Sequence, residues 1–143
     1  MATIYRTALV QHSVGHMYEL VNDVKAYPCF LPGCTQAEII METATEMKAA
    51  VTLEKAGIHQ TFKTHNFLHK DQKVEINLID GPFKKLEGVW LFEELKSDAS
   101  KIILDLEFEF SGKMISLAFG PIFNHIANTM VDVFCKRADE IYD

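Results

Sequence analysis

The stretch MISLAFGPIFNHIANTMVDVFCKRADEIY, residues 114–142, decides the fold of this chain. Its apolar residues recur mostly every three or four positions, which is the spacing of one face of an α-helix. A continuous helix over Met114–Tyr142 would be roughly 40 Å long, at about 1.5 Å per residue. Since no second long helix is predicted, we expect this apolar face to pack against a β-sheet.

Segments of alternating apolar and polar residues precede this helix and predict the strands of the sheet. They are residues 3–11, 35–41, 46–54, 58–68, 73–79, 86–95 and 101–110. Short polar turns join the last six, and Asp80-Gly81-Pro82 is the strongest of these turn signals. Consecutive strands with short connections form an antiparallel meander.

Two short helices are predicted between the first and second strands. Ser13 is a suitable N-cap for a helix that ends near Asp23. Pro28 and Pro32 then enclose at most one helical turn. The predicted fold class is therefore α+β: a curved antiparallel sheet of six to seven strands wraps around a long C-terminal helix, in a single domain over residues 1–143.

Composition and charge narrow the class of protein. A chain of 143 residues with 48% hydrophobic and 24% charged residues is typical of one soluble domain. No apolar run approaches the ~20 residues of a membrane span, and the N-terminus lacks a signal-peptide pattern, so we expect a cytoplasmic protein. Cys29, Cys34 and Cys135 are expected to be free thiols. The net charge of −6 disfavours DNA as a partner.

The space between sheet and helix has two interpretations at this point. Close packing is normal for protein interiors, and periodicity alone favours a filled core. A strongly bent sheet could also leave an apolar cavity that holds a small hydrophobic molecule. Gly88, in mid-strand beside Trp90, indicates a bend or a close approach of two backbones.

Catalysis and metal binding have little support in the sequence. No pair of carboxylates and no serine–histidine pair has suitable spacing. His59, His65 and His69 share one strand face, but their separations of roughly 20 and 14 Å, at about 3.4 Å per residue, are too large for one ion. Surface positions are the better interpretation, and His125 is better explained as exposed or satisfied than as catalytic. We predict no catalytic residue and no metal ligand.

Four groups of short motifs have a familiar order. They are Leu20–Val24 with Tyr27-Pro28 and Phe30–Pro32; Asp80–Phe83 with Leu86–Gly88 and Trp90; Phe108–Phe110; and Gly120-Pro121 with Phe123-Asn124, Ile126-Ala127 and Val131-Asp132. Over nearly the whole chain this series resembles the coenzyme-Q-binding branch of the START-like, or polyketide cyclase-like, family.

The resemblance implies a helix-grip fold with a hydrophobic tunnel between sheet and helix. It implies binding of a polyprenyl quinone or another lipid, with no cofactor required. For the bacterial branch it also implies binding to the large ribosomal subunit and inhibition of subunit association. An aromatase/cyclase enzyme is a weaker alternative, because no acid–base pair is evident.

Within this fold, inward apolar residues become candidates for the tunnel wall and its mouth. They are Tyr27, Phe30, Leu31, Val51, Phe62, Ile76, Leu78, Phe83, Trp90, Phe92, Phe108, Phe123, Ile126, Ala127 and Met130. The Trp90 N–H could bind a head-group oxygen, and the segment from Pro28 to Pro32 could act as a lid.

The charged residues offer a separate set of surface candidates. An acidic strand face, made by Glu87, Glu93, Asp105, Glu107 and Glu109, is either a solvated surface or a docking patch for a basic protein. For contact with a ribosome, Lys84-Lys85 and Lys136-Arg137 are the better candidates.

Overall fold

The computed structural model describes residues 2–142 and places seven strands and four α-helices in that range. In chain order they are β1 (Ala2–Val10), α1 (Val14–Asn22), α2 (Tyr27–Phe30), β2 (Cys34–Glu42), β3 (Glu46–Lys55), β4 (Ile58–His69), β5 (Lys73–Asp80), β6 (Phe83–Lys96), β7 (Ala99–Phe110), α3 (Lys113–Ala118) and α4 (Gly120–Ile141).

All seven strands form one antiparallel sheet in the order β1-β7-β6-β5-β4-β3-β2. The predicted meander over β2–β7 is confirmed, and β1 pairs with the last strand. Register shifts occur in β2, in the β4–β5 pairing and near both ends of β6, and breaks in the ladder of this kind let a sheet bend. The sheet therefore curves around the helix that follows it, as an α+β helix-grip fold requires.

The prediction of one continuous helix over residues 114–142 was wrong. The structure divides this segment into α3 and α4, with Phe119 between them. Pro121 explains the division, because it has no N–H for the Leu117 carbonyl and its ring would collide with that carbonyl. The 22 residues of α4 span about 33 Å. Phe119 is fully buried, while Leu117 on α3 is 78% exposed.

The inner face of α4 follows the predicted spacing. Its buried side chains include Phe123, Ile126, Ala127, Val131 and Phe134. The α4 backbone comes close to β1 and β7 at one side of the sheet, and to α1 and α3. In the described range, 2–142, no helix is both long and apolar enough to cross a bilayer.

Gly88 marks a close approach of β6 and β7, in agreement with the sequence. A Cβ atom there would lie 2.6 Å from Leu106 Cδ1 and 2.9 Å from the Asp105 carbonyl oxygen. We expect Gly88→Ala to lower the free energy of unfolding by about 1–3 kcal/mol, since the strands would have to separate. Urea denaturation measures this loss. Gly112→Ala is the control, because nothing lies within 4 Å of its Cβ position; equal effects of the two substitutions would contradict the explanation.

Candidate ligand-binding groove

All fifteen predicted wall and mouth residues lie in the interior, distributed over two adjoining hydrophobic clusters. The first, the aromatic cluster, is made by the rings of Phe62, Phe83, Phe108, Phe110, Phe119 and Phe123. Phe123 lies at its centre, with ring centroids 4.8 Å from Phe108 and 4.9 Å from Phe83. This part of the space between sheet and helix is filled with side chains.

The second, the Trp90 cluster, brings β6, α4 and α2 together. Phe134 of α4 is its central ring, with its centroid 5.3 Å from Trp90, 5.4 Å from Tyr27 and 5.3 Å from Phe30. Tyr27 and Phe30 thus point at apolar surface, as the sequence indicates. Phe134 was missing from the predicted site, although its position in the α4 apolar stripe could have identified it.

The fifteen candidates divide into two groups by exposure. Leu31, Phe83, Trp90, Phe92, Phe108, Phe123, Ile126 and Ala127 are buried in the close-packed clusters. The other seven keep partial exposure, and we call them the groove: Tyr27, Phe30, Val51, Phe62, Ile76, Leu78 and Met130. These seven side chains are the part of the predicted wall that solvent still reaches.

The groove lies along the boundary between the two clusters. Tyr27, Phe30, Val51 and Met130 pack against both of them, and so does Ala37, which the sequence prediction omitted. Where Phe30 meets α4, a surface pocket of about 300 Å³ is lined also by Cys29, Pro32, Val133, Lys136, Arg137 and Glu140. This volume is at the lower end of the range for small-molecule sites.

Helix α2 covers this end of the groove and lies against β2 and α4. The Tyr27 hydroxyl donates a hydrogen bond to the Val21 carbonyl, and burial raises the pKa of Tyr27, which keeps that hydroxyl protonated. The Arg137 guanidinium carbon lies 5.1 Å from the centre of the Phe30 ring, a cation–π distance. This single helical turn is therefore a small unit held against β2 by close backbone approach and fastened to α1 and α4 by side-chain contacts.

One polar side chain of the inner face was missed by sequence reasoning. Asn66 shares strand parity with the buried Leu68, and that parity could have identified it. It is 9% exposed, and its Oδ1 atom accepts no hydrogen bond within residues 2–142. An unpaired buried polar group costs about 1–3 kcal/mol.

The three strand histidines lie on the outer face, as the sequence predicts. Each ring approaches a different carboxylate: His59 lies 3.3 Å from Glu54, His65 2.7 Å from Glu46, and His69 3.0 Å from Glu75. The hydrogen bond with His69 lowers the pKa of Glu75. No group of three potential metal ligands occurs in the described part of the chain.

The two basic pairs differ in their surroundings. Lys85 Nζ lies 2.8 Å from Glu107 Oε1, and this bond raises the pKa of the lysine. Lys84 Nζ lies 3.6 Å from Glu109. Lys84 and Lys85 thus pair with the acidic strand face, whereas Lys136 and Arg137 make no ion pair with any described residue. Lys136 is exposed, whereas Arg137 is half-buried with its Nε atom covered, so Lys136 is the more available charge for an anionic partner.

The three cysteines are free, as the sequence predicts, and their reactivity should differ. Burial raises the pKa of Cys34 and of Cys135 to about 11, so both remain protonated at pH 8, and the thiol form is unreactive. Cys29 on α2 is exposed. We expect iodoacetamide to alkylate the folded protein once, at Cys29, and Cys29→Ser to prevent this. Mass spectrometry reports the result; rapid double alkylation would contradict the burial of the other two.

Comparisons with known proteins agree with this architecture. Residues 10–135 match the family described as polyketide cyclase/dehydrase and lipid transport. The chain is 51% identical to the Escherichia coli (strain K12) ribosome association toxin RatA, over 99% of this chain and 90% of that protein. It is 25% identical to the Xenopus laevis mitochondrial coenzyme Q-binding protein COQ10 homolog B, over 91% of this chain and 55% of that protein.

Two solved structures share the fold at low sequence identity. One is the Zhui aromatase/cyclase from Streptomyces sp. R1128, with a TM-score of 0.82 at 14% identity, over 96% of this chain and 93% of the other. The second is a START superfamily protein from Mycobacterium smegmatis, with a TM-score of 0.76 at 19% identity, over 97% of this chain and 98% of the other.

Proposed function

Since this chain belongs to the polyketide cyclase/dehydrase and lipid transport family, we propose that its groove binds a hydrophobic molecule of the polyprenyl quinone or lipid class. The observation that carries the proposal is the row of partly exposed apolar side chains between two close-packed clusters. The name of the Xenopus laevis relative, a coenzyme Q-binding protein, supports the quinone class.

We propose further that this binding is not catalytic. Six of the seven groove side chains are apolar, and the seventh, Tyr27, uses its hydroxyl to bond the Val21 carbonyl. General acid–base catalysis needs a titratable group within reach of the bound molecule, and the groove side chains supply none that is available. Likeness to an aromatase/cyclase at 14% identity reflects the shared fold.

The single tryptophan provides a direct test of quinone binding. Trp90 contacts Phe134, which contacts both aromatic residues of α2, so a quinone in the groove would lie within a few side chains of the indole. Titration with decylubiquinone should therefore quench Trp90 fluorescence with a saturable curve. Quenching that rises linearly, with the slope seen for free tryptophanamide, would reject the proposal.

The role of α2 as a lid can be tested separately. Phe30→Ala removes one aromatic contact to Phe134 and the cation–π contact to Arg137. Each is worth about 0.5–1.5 kcal/mol, so we expect the quinone to dissociate about tenfold faster. Stopped-flow fluorescence measures this rate, with Leu9→Ala on the exposed outer surface as control. Unchanged affinity and exchange rate in Phe30→Ala would end the lid hypothesis.

A second proposed function is association with the large ribosomal subunit and inhibition of subunit joining. It is favoured by the identity of 51%, over nearly the full chain, to a ribosome association toxin. The two functions would meet in one region of the molecule, because Lys136 and Arg137 also line the pocket beside Phe30 at the end of the groove. Lys136-Arg137, which has no ion pair among residues 2–142, is the proposed contact.

Sedimentation of ribosomes through a sucrose gradient tests the second function. Added protein should increase the free subunits at the expense of joined ribosomes and should sediment with the large subunit. Lys136→Glu should weaken this effect, since it replaces an unpaired positive charge that could bind phosphate. Lys84→Glu is the matched control, because that lysine lies beside the acidic strand face and pairs with Glu109. Unchanged subunit joining with the wild-type protein would eliminate this function.

A further inference from the structure

We infer that Asn66 is the polar anchor of the groove, and that the molecule it holds is a long apolar chain ending in a hydroxyl group. This inference rests on the proposed binding of a hydrophobic ligand and makes the class of that ligand more specific. It also assigns a specificity-determining role to a residue that the apolar pattern of the chain does not identify.

Strand pairing places Asn66 on the inner face. In the antiparallel ladder Asn66 lies opposite Met47 of β3 and opposite Ile76 of β5. Side chains of directly paired residues lie on the same face of a sheet. Met47 is fully buried in the Trp90 cluster, and Ile76 packs against that cluster. The side chain of Asn66 therefore points toward the interior.

The groove leads to Asn66 along β4. Phe62, Thr64 and Asn66 follow one another on the inner face of this strand, at about 7 Å per step. Their partners Val51, Leu78 and Ile76 are groove residues that keep partial exposure. A chain-like molecule that enters beside α2 would thus follow Phe62, the buried Thr64 and their apolar partners for about 14 Å before it reaches the amide.

The unpaired atom indicates the chemistry of the ligand. Asn66 Oδ1 is a hydrogen-bond acceptor, so only a donor can satisfy it. A hydroxyl group donates, whereas an ether or a quinone carbonyl only accepts. The surroundings, Met47 and Ile76, are apolar and would accommodate the hydrocarbon part. A prenyl alcohol, or the hydroquinone form of a prenyl quinone, has this combination of groups.

Two probes that differ in one hydrogen-bond donor test the inference. Farnesol carries a hydroxyl, and farnesyl methyl ether has the same chain without the O–H. By isothermal titration calorimetry, the wild-type protein should bind farnesol about three- to tenfold more tightly, the range expected for one hydrogen bond. Asn66→Leu should bind both probes equally. Asn77→Leu, the same substitution on the outer face opposite His65 and Glu87, should retain the preference.

The possible outcomes separate this inference from the proposed function. Two results would overturn the role of Asn66 and leave the groove proposal standing. One is equal affinity of the wild-type protein for the two probes; the other is a preference for farnesol that persists in Asn66→Leu. Binding of neither probe would overturn the anchor, and it would overturn the groove proposal as well if decylubiquinone also failed to bind. Thermal unfolding checks the fold: Asn66→Leu should unfold at the same or a higher temperature, because it removes an unpaired buried acceptor. Asn66→Ala replaces it if the leucine variant does not fold.

Discussion

Phe123→Ala is expected to lower the free energy of unfolding by about 3–5 kcal/mol. Phe123 is 5% exposed, and its ring packs on those of Phe62, Phe83, Phe108 and Phe119. Its removal would leave a cavity surrounded by other rings, which the sheet and α4 could close only by moving toward each other.

Chemical denaturation measures the effect, and Phe67→Ala is the matched control. Phe67 is 38% exposed on the outer face, where its main ring contact is His65, so its loss should cost under about 1 kcal/mol. If Phe123→Ala cost no more than the control, the aromatic cluster would not be close-packed, and the division of the interior into a filled part and a groove would be wrong.

Val51→Trp is expected to weaken the binding of decylubiquinone about 100-fold while the protein remains folded. Val51 packs against both clusters, so a larger side chain there would occupy the groove. Displacing three or four methylene groups of a ligand, at about 0.8 kcal/mol each, accounts for this loss. Overpacking should lower stability by about 1–3 kcal/mol.

The adjacent residue supplies the control for that substitution. Ala50 lies on the opposite face of β3, paired with Glu38 and Lys63, and Ala50→Trp adds the same side chain outside the groove. Calorimetric titration of both variants gives the comparison. Unimpaired binding by Val51→Trp would show that the ligand lies elsewhere.

The sequence was sufficient for the architecture, because strand alternation and helix periodicity are local signals. It predicted the meander, the inner face of the terminal helix and a single helical turn near Pro28, which the structure places at Tyr27–Phe30 with Pro28 inside it. Pro121 also indicates the break before α4. The prediction missed it because the apolar spacing is regular across residues 114–142. Local pattern thus gave the elements more reliably than their boundaries.

The candidate site was predictable only in part. Alternation identified which residues point inward, and all fifteen do. It could not distinguish Phe108, which is fully buried, from Val51, which is partly exposed, because that difference depends on how neighbouring volumes fit. The neutralisation of Lys85 by Glu107 depends on the register of β6 against β7, which no local pattern contains.

The most direct test of the groove is to identify what the protein carries. Protein purified without detergent should be extracted with organic solvent and the extract analysed by mass spectrometry, with Val51→Trp treated in parallel. A prenyl quinone or lipid should be recovered reproducibly from the wild-type protein and be depleted from the variant. A wild-type protein that is always empty, and that takes up no added prenyl quinone, would contradict the account.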